Sequence, residues 1–214
     1  MHYDEPVAVK VSGDLACFTR PEMKVERVSY PVMTPTAALG LLANIFWKPE
    51  FHWDLTEIWV LKPIAYQSIL RNEVKTRASH RSAQGWARSG EGGYVVEEDH
   101  TPRHTLALRE VAYLIKALPV AHDPTQDTAK YRDQFRRRVR KGQCFAMPFL
   151  GCREFVADFS EPDGEEAPIA IDLDIGRMLT ALEAKPDLPG IRTPRFTDAR
   201  LERGILRLAA ERRA

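Results

Sequence analysis

Cationic side chains are concentrated in one short segment beyond the middle of the chain. Residues 127 to 141 contain seven Lys or Arg residues and two Asp residues, a surplus of five positive charges. Guanidinium and ammonium groups in such density suit phosphate contact, although a solvated helix face is an equally good explanation of the pattern. The whole protein carries a formal net charge of only +1, so any nucleic-acid site must be a local patch.

A second basic segment lies near the start of the chain, between a predicted strand and a predicted helix. Residues 16 to 30 carry Arg20, Lys24 and Arg27 beside two aromatic residues and Pro21. This composition is typical of a shaped phosphate-binding loop. We expect this loop and the cationic segment to border one common groove. Aromatic residues near the basic segments could stack on bases, namely Phe18, Tyr30, Trp47 and Trp86, although burial is favoured for Trp47.

Three motifs resemble a known family. They are residues 16 to 38, the Ile-Phe-Trp-Lys-Pro sequence at 45 to 49, and the Pro-Phe-Leu-Gly-Cys-Arg-Glu-Phe sequence at 148 to 155. Together they are similar to the CRISPR-associated endoribonucleases of type I-C systems, the d subtype of the fifth Cas family. The resemblance covers about residues 6 to 206.

The resemblance implies a specific chemistry. Members of this family cut the CRISPR precursor RNA within its repeat without a metal or other cofactor. The 2′-hydroxyl attacks the adjacent phosphate and leaves a 2′,3′-cyclic end. The family commonly uses a Tyr in the Ile-Tyr-Trp-Lys-Pro motif and a later Lys-His pair, and these positions hold Phe46, Lys130 and Tyr131 here. They are our candidate catalytic positions.

The three candidates differ in what they can contribute. Lys130 preserves the cation and is predicted to stabilise the transition state. Phe46 has no hydroxyl and cannot exchange a proton, although it can pack or stack. Tyr131 could act as a general acid, but its spacing with Phe135 and Val139 favours a buried structural role. Nearby groups that could compensate are Tyr30, His104 and His122, although plain loop or strand-end positions are the favoured explanation of both histidines.

Other cations are candidates for gripping the RNA backbone near the 5′ handle of the mature crRNA. We predict this role for Arg20, Lys24, Arg27, Arg137 and Lys141. Arg153 either does the same or takes part in structural pairing near Glu154. The resemblance implies that the partners are the repeat RNA and the backbone and large subunits of the type I-C interference complex.

Three functions remain open on the sequence. The first is an endoribonuclease that works through Lys130. The second is a non-catalytic subunit that caps the 5′ handle, because the hydroxyl at Phe46 and the imidazole at Tyr131 are missing. The third is a module that binds double-stranded DNA through the basic helix alone.

The elements that must position these residues follow from hydrophobic periodicity. Hydrophobic patterning predicts strands at residues 7 to 12, 55 to 61, 64 to 70, 105 to 117, 155 to 159 and 169 to 175. The strand at 64 to 70 is expected to pair with the strand at 55 to 61. Helical spacing predicts helices from Pro35 to about Trp47, with Thr34 as N-cap, and from Asp127 to Lys141. A hairpin with Gly204 in its turn is expected between residues 195 and 208.

These elements indicate an α+β fold. The resemblance implies a ferredoxin-like, RRM-type domain over residues 1–143 and a β-rich antiparallel portion over residues 144–214. Residues 71–104, which are rich in Gly, Arg and Ser, are predicted to form a mobile insertion.

Several other classes are excluded or disfavoured. Cys17, Cys144 and Cys152 lack a C-x-x-C spacing, which argues against a disulfide framework and a zinc site. Asp172 and Asp174 could suggest a metal pair, but the wet face of a strand is the better explanation. No long apolar run is present, so we expect a cytoplasmic protein without a signal peptide or membrane span.

Overall fold

The structure is a computed structural model that describes residues 5–23, 25–75, 79–93, 95–184 and 192–208. Within these ranges it is a mixed α/β protein, which confirms the predicted α+β class. The helices are α1 (Pro35–Ile45), α2 (His80–Ser89) and α3 (Ala129–Arg140). The strands are β1 (Val7–Ala16), β2 (Arg27–Val28), β3 (Phe51–Val60), β4 (Tyr66–Val74), β5 (His100–Ala121), β6 (Asp158–Ser160), β7 (Leu173–Ala184), β8 (Arg192–Glu202) and β9 (Ile205–Arg207). No described helix has the length and apolar character needed to cross a membrane.

The long strand β5 organises the sheet. The strand order is β6-β1-β5-β3-β9-β8-β7, and β2 and β4 also pair with β5. One half of β5 pairs with β1 and β3, so that Ala117 lies opposite Val7 and Leu55. The other half pairs antiparallel with β4 and parallel with β2, where Thr105 lies opposite Ile69 and Arg27. A single strand therefore connects the two ends of the molecule.

The core lies between one face of the sheet and helices α1 and α3. Val7, Val9 and Val11 are buried on this face, which confirms the alternation predicted for the first strand. Helix α1 begins as predicted, because the Thr34 hydroxyl accepts a hydrogen bond from the Ala37 amide and Pro35 occupies the first turn. Its last helical residue, Ile45, is fully buried.

One prediction about the first half of the chain is wrong. The segments at residues 55 to 61 and 64 to 70 do not pair, because β3 pairs with β5 and β9, and β4 pairs with β5 among the described residues. Residues 71–104, predicted to form a mobile insertion, contain the end of β4, the helix α2, a 3-10 helix at Val96–Asp99 and the start of β5. Strand β4 has no buried face, so its sequence carries little of the apolar periodicity from which a strand is predicted.

The second half is β-rich, as predicted. Strands β8 and β9 form the predicted hairpin, and Gly204 takes a positive φ of 75° in its turn. The alternation at residues 155 to 159 and 169 to 175 gives only the short strand β6 and the first residues of β7.

The motifs at residues 16 to 38 and 148 to 155 are joined by a close backbone contact. The Cys17 amide donates a hydrogen bond to the Leu150 carbonyl at 3.0 Å. Gly151 has a φ of 85°, and a Cβ at this position would overlap the backbone carbonyl of Cys17. Only glycine therefore lets the two segments approach this closely.

Replacing Gly151 with Ala tests this contact. We expect the Gly151→Ala variant to lose more stability than Gly142→Ala, measured by chemical denaturation. Gly142 also has a positive φ, of 61°, but its Cβ would meet open space, so about 1 to 2 kcal/mol of backbone strain is its whole cost. Equal losses for the two variants would show that the close approach to Cys17 contributes nothing.

Candidate functional site

Helix α3 packs an aromatic stripe against the start of β3. Tyr131, Phe135 and Val139 are buried, as their spacing predicts. The ring of Phe51 stacks on Tyr131 with a centroid distance of 4.6 Å, and Trp53 meets Phe135 edge-on at 4.9 Å. The helix is thereby fixed against the sheet by its apolar face; Lys130, Arg137 and Arg140 are exposed, whereas Arg132 is buried.

This packing brings the three candidate catalytic positions together. Phe46 lies just beyond α1, and its ring contacts Phe51 at 5.5 Å. Because Phe51 also stacks on Tyr131, residues far apart in the sequence meet at one end of the sheet. The Lys130 ammonium lies 4.8 Å from the centroid of the Tyr131 ring.

Two of the three side chains belong to the core. Phe46 and Tyr131 are each only 2% exposed. The Tyr131 hydroxyl nevertheless reaches the edge of the core, where it donates a hydrogen bond to Oε1 of the exposed Gln126 at 3.1 Å. The Arg138 guanidinium lies 5.5 Å from the Phe46 ring centroid and donates to the Ile45 carbonyl. Only Lys130 is exposed to solvent along its side chain.

Three exposed cations form a line on the outer face of α3. Arg137 and Lys141 follow Lys130 by seven and eleven residues, which places the three within about 40° of one another around the helix axis. They span about 16 Å along that axis. None of the three makes an ion pair with a described residue, whereas Arg136 pairs with Glu5 and Arg140 with Glu161. We call these three residues the cation stripe, and it can accept a row of phosphates.

The basic loop of residues 16 to 30 has a different character. Phe18 and Tyr30 are buried, so neither can stack on a base. The Arg20 guanidinium lies over the Tyr30 ring at 4.5 Å and 3.7 Å from Glu22. Burial is the main cause that raises the pKa of Tyr30, whose hydroxyl donates to the Arg177 carbonyl. Lys24 lies outside the described residues.

Arg27 connects the loop to the motif at residues 148 to 155. Its guanidinium pairs with Glu73 at 3.2 Å and donates to the Cys152 sulfur at 3.4 Å. A hydrogen bond from the Cys17 thiol, followed by the nearby Arg27, lowers the pKa of Cys152. Arg153 is exposed without an ion pair among the described residues, while its neighbour Glu154 pairs with Arg71.

The two basic regions border different parts of β5. Arg27 in β2 lies opposite Thr105, whereas α3 packs on Phe51 and Trp53, which lie opposite Ala121 and Pro119. The segment after α3 connects them, because the Phe145 amide binds the Asn44 carbonyl and Cys152, seven residues later, accepts from Arg27 at 3.4 Å. One common groove for the loop and the helix remains a prediction.

The compensating histidines are not beside Lys130. The ring of His122 stacks on His52 at 5.3 Å. Since His52 follows Phe51 in β3, the pleat directs it to the face opposite Tyr131. His104 is an exposed residue of β5, and its amide is held by Glu26.

Asp174 in β7 and Asp172, directly before this strand, have structural partners. Asp172 accepts from the Arg203 amide and Asp174 from the Gly176 amide. Both are exposed, as expected for the wet face of a strand.

An exposed aromatic surface beside α3 is not predicted from the sequence. Trp47, for which burial was favoured, is 56% exposed. Phe145 is 80% exposed and was not singled out at all. Its position after the helix-ending Gly142, in a short segment rich in apolar residues, was the available signal.

Comparison with known proteins identifies the class to which this fold and site belong. The chain matches the model of the family described as CRISPR-associated protein (Cas_Cas5), of subtype Cas5d, over residues 7–208. The protein therefore belongs to the Cas5d family, which confirms the resemblance read from its motifs.

Two curated relatives are each named CRISPR pre-crRNA endoribonuclease Cas5d. The relative from Thermus thermophilus is 43% identical, over 95% of this chain and 91% of its own length. The one from Mannheimia succiniciproducens is 38% identical, over 94% and 93%. A solved CRISPR-associated protein is 24% identical with a TM-score of 0.66, covering 96% of this chain and 92% of that one, and it shares the fold.

The Tyr131 side chain offers a test of this packing. We expect Tyr131→Phe to cost about 0.5 to 1.5 kcal/mol, because it removes only the hydrogen bond to Gln126. Tyr131→Ala should cost about 3 to 5 kcal/mol, because it also empties the stack on Phe51. Chemical denaturation measures both changes, and a Tyr131→Ala variant as stable as Tyr131→Phe would contradict the buried position.

Proposed function

We propose that this protein binds the repeat of CRISPR precursor RNA and cleaves it as a metal-independent endoribonuclease. The observation that carries the proposal is the meeting of Phe46, Lys130 and Tyr131 beside the exposed cation stripe. The curated relatives at 43% and 38% identity, both named pre-crRNA endoribonucleases, support it.

The chemistry assigned to this site follows from the groups present. The 2′-oxygen attacks the phosphorus while the bond to the 5′ oxygen breaks, which leaves a cyclic phosphate and a free 5′-hydroxyl. Lys130 contacts the phosphate and stabilises its developing charge. The Tyr131 hydroxyl gives up its hydrogen bond to Gln126, binds the leaving 5′ oxygen instead and donates a proton to that oxygen.

The proton of the 2′-hydroxyl has no side-chain acceptor at position 46. Phe46 cannot take it, so solvent does. A positioned base or acid contributes a factor of about 100 to 10,000, and cleavage is therefore slower by such a factor than with a hydroxyl at this position.

The part of β5 beside the basic loop is assigned to holding the mature crRNA. Arg20, Lys24, Arg27 and Arg153 grip the RNA backbone near the 5′ handle, and Arg137 and Lys141 hold the RNA beside the cleavage site. In this proposal the protein stays on the handle and contacts the backbone and large subunits of the type I-C interference complex.

We also infer a ferredoxin-like, RRM-type arrangement for residues 1–143 with a β-rich portion over 144–214. The order β1, α1, β3, β5, α3, β6 in sequence and β6-β1-β5-β3 in space supports it. Strand β6 lies beyond residue 143 and completes the first unit.

A second candidate function is RNA binding without cleavage. The burial of Phe46 and Tyr131 favours it, because core side chains reach a phosphate less readily than exposed ones. In this case the protein caps the handle, and cutting is done elsewhere.

The Lys130→Ala variant tests catalysis. Incubated with labelled repeat RNA in EDTA, it should cleave about 100 to 1,000 times more slowly than the natural protein, because the phosphate loses its cation. Tyr131→Phe should lose a factor of about 100 or more, and Phe46→Tyr should gain activity.

Arg136→Ala is the matched control, since this cation lies on α3 outside the stripe and pairs with Glu5. It should cleave at the natural rate. Tight binding with intact RNA in every variant would favour the capping function, and cleavage that EDTA abolishes would contradict the metal-independent mechanism.

The salt dependence of binding tests the cation stripe. Each phosphate contact on single-stranded RNA contributes about 0.7 to the slope of log K against log salt. The double variant Arg137→Ala, Lys141→Ala should therefore reduce the slope by about 1.4, while Arg136→Ala leaves it unchanged. Fluorescence anisotropy over a salt titration measures this slope, and an unaltered slope in the double variant would remove the stripe from the interface.

The same assay distinguishes RNA from DNA. We expect the repeat RNA to outcompete a DNA duplex of equal length. Preference for the duplex would instead make the protein a DNA-binding module that uses α3 alone.

A further inference from the structure

Two exposed aromatic side chains lie beside the end of α1, next to the basic helix. Trp47 is 56% exposed and Phe145 is 80% exposed. Met147, in the same segment as Phe145, is 64% exposed. Large apolar side chains this accessible are costly to leave in water, and their clustering marks a contact surface.

The backbone that carries these rings is held in place. After α3, Gly142 turns the chain with a φ of 61°. The amides of Phe145 and Ala146 then both donate to the Asn44 carbonyl, at 2.7 and 3.0 Å. This carbonyl belongs to the last turn of α1, where helix carbonyls lack helical partners. The backbone of Phe145 is therefore fixed to Asn44, three residues before Trp47, while the Phe145 ring is exposed to solvent.

Cations lie in the segments that carry the two rings. Arg138 donates to the Ile45 carbonyl, between Asn44 and Trp47 in sequence. Lys48 directly follows Trp47, and Lys141 of the cation stripe ends α3 four residues before Phe145. Exposed aromatic rings among cations are the arrangement with which proteins hold unpaired nucleotides, by stacking on bases and pairing with phosphates.

We propose that Trp47 and Phe145 form a stacking platform for unpaired RNA bases next to the cleavage site. The platform holds the strand that continues from the cation stripe, and it accepts any base because every base has an apolar face. This inference rests on the proposed RNA-binding function and adds the side chains that position the substrate. Charge favours RNA over a protein partner here, because Arg138 binds the end of α1, and Lys48 and Lys141 belong to the segments that carry the rings.

Binding of an uncleavable RNA tests the platform apart from catalysis. The probe is a repeat RNA with 2′-deoxy substitution at the cut position, measured alongside an unstructured oligouridine. Loss of one stacked base should weaken binding about 5- to 140-fold, so we expect this range for Trp47→Ala and for Phe145→Ala with both probes.

Conservative variants separate stacking from a merely apolar contact. Phe145→Tyr should bind like the natural protein, whereas Phe145→Leu, which keeps an apolar side chain without a ring, should bind as weakly as Phe145→Ala. Leu182→Ala, which removes another exposed apolar side chain on β7, should bind normally.

The outcomes distinguish this inference from the function on which it rests. Natural protein that binds neither probe would overturn the RNA-binding function itself. Tight binding that is unchanged in Trp47→Ala and Phe145→Ala would overturn only the platform, and would leave the surface to a protein partner. Phe145→Leu binding as well as Phe145→Tyr would also overturn stacking.

Discussion

The pairing of β5 with four other strands is the constraint on which the rest of the structure depends. Its 22 residues pair with β1 and β3 at one end and with β2 and β4 at the other. The first end supports α1 and α3, and hence Phe46, Lys130 and Tyr131. The second end holds Arg27 and the basic loop. The pairing of one strand therefore fixes the two cationic regions at different positions along it.

This separation gives the two regions different electrostatic roles. At the loop end the arginines are largely engaged, as with Arg27 on Glu73 and Arg20 on Tyr30. The cation stripe on α3 has no such partners among the described residues and is available to phosphate.

Local patterns in the sequence predicted the elements that carry the candidate site. Thr34 and Pro35 defined the start of α1, and the spacing of Tyr131, Phe135 and Val139 gave both the extent of α3 and its buried face. These features depend on residues a few positions apart. The hydroxyl missing at Phe46 and the cation kept at Lys130 were likewise visible as residue types.

Features that depend on distant residues could not be predicted in the same way. The pairing of β4 with β5 joins residues up to 42 positions apart, at Tyr66 and Leu108, and neither face of β4 is buried. Whether the two basic regions border one groove depends likewise on contacts between distant residues, such as that of Arg27 with Cys152. Phe145 was missed because its exposure results from two hydrogen bonds to Asn44, a residue about 100 positions earlier.

The late position of β5 in the chain also bears on how the protein is made. Strands β1 and β3 obtain their central partner only when residues up to Ala121 have emerged from the ribosome. At about 5 to 20 residues per second, β1 waits about 5 to 20 seconds after its own synthesis. During this interval Val7, Val9 and Val11 lack both the neighbouring strand and helix α3, so they remain exposed apolar surface on the nascent chain.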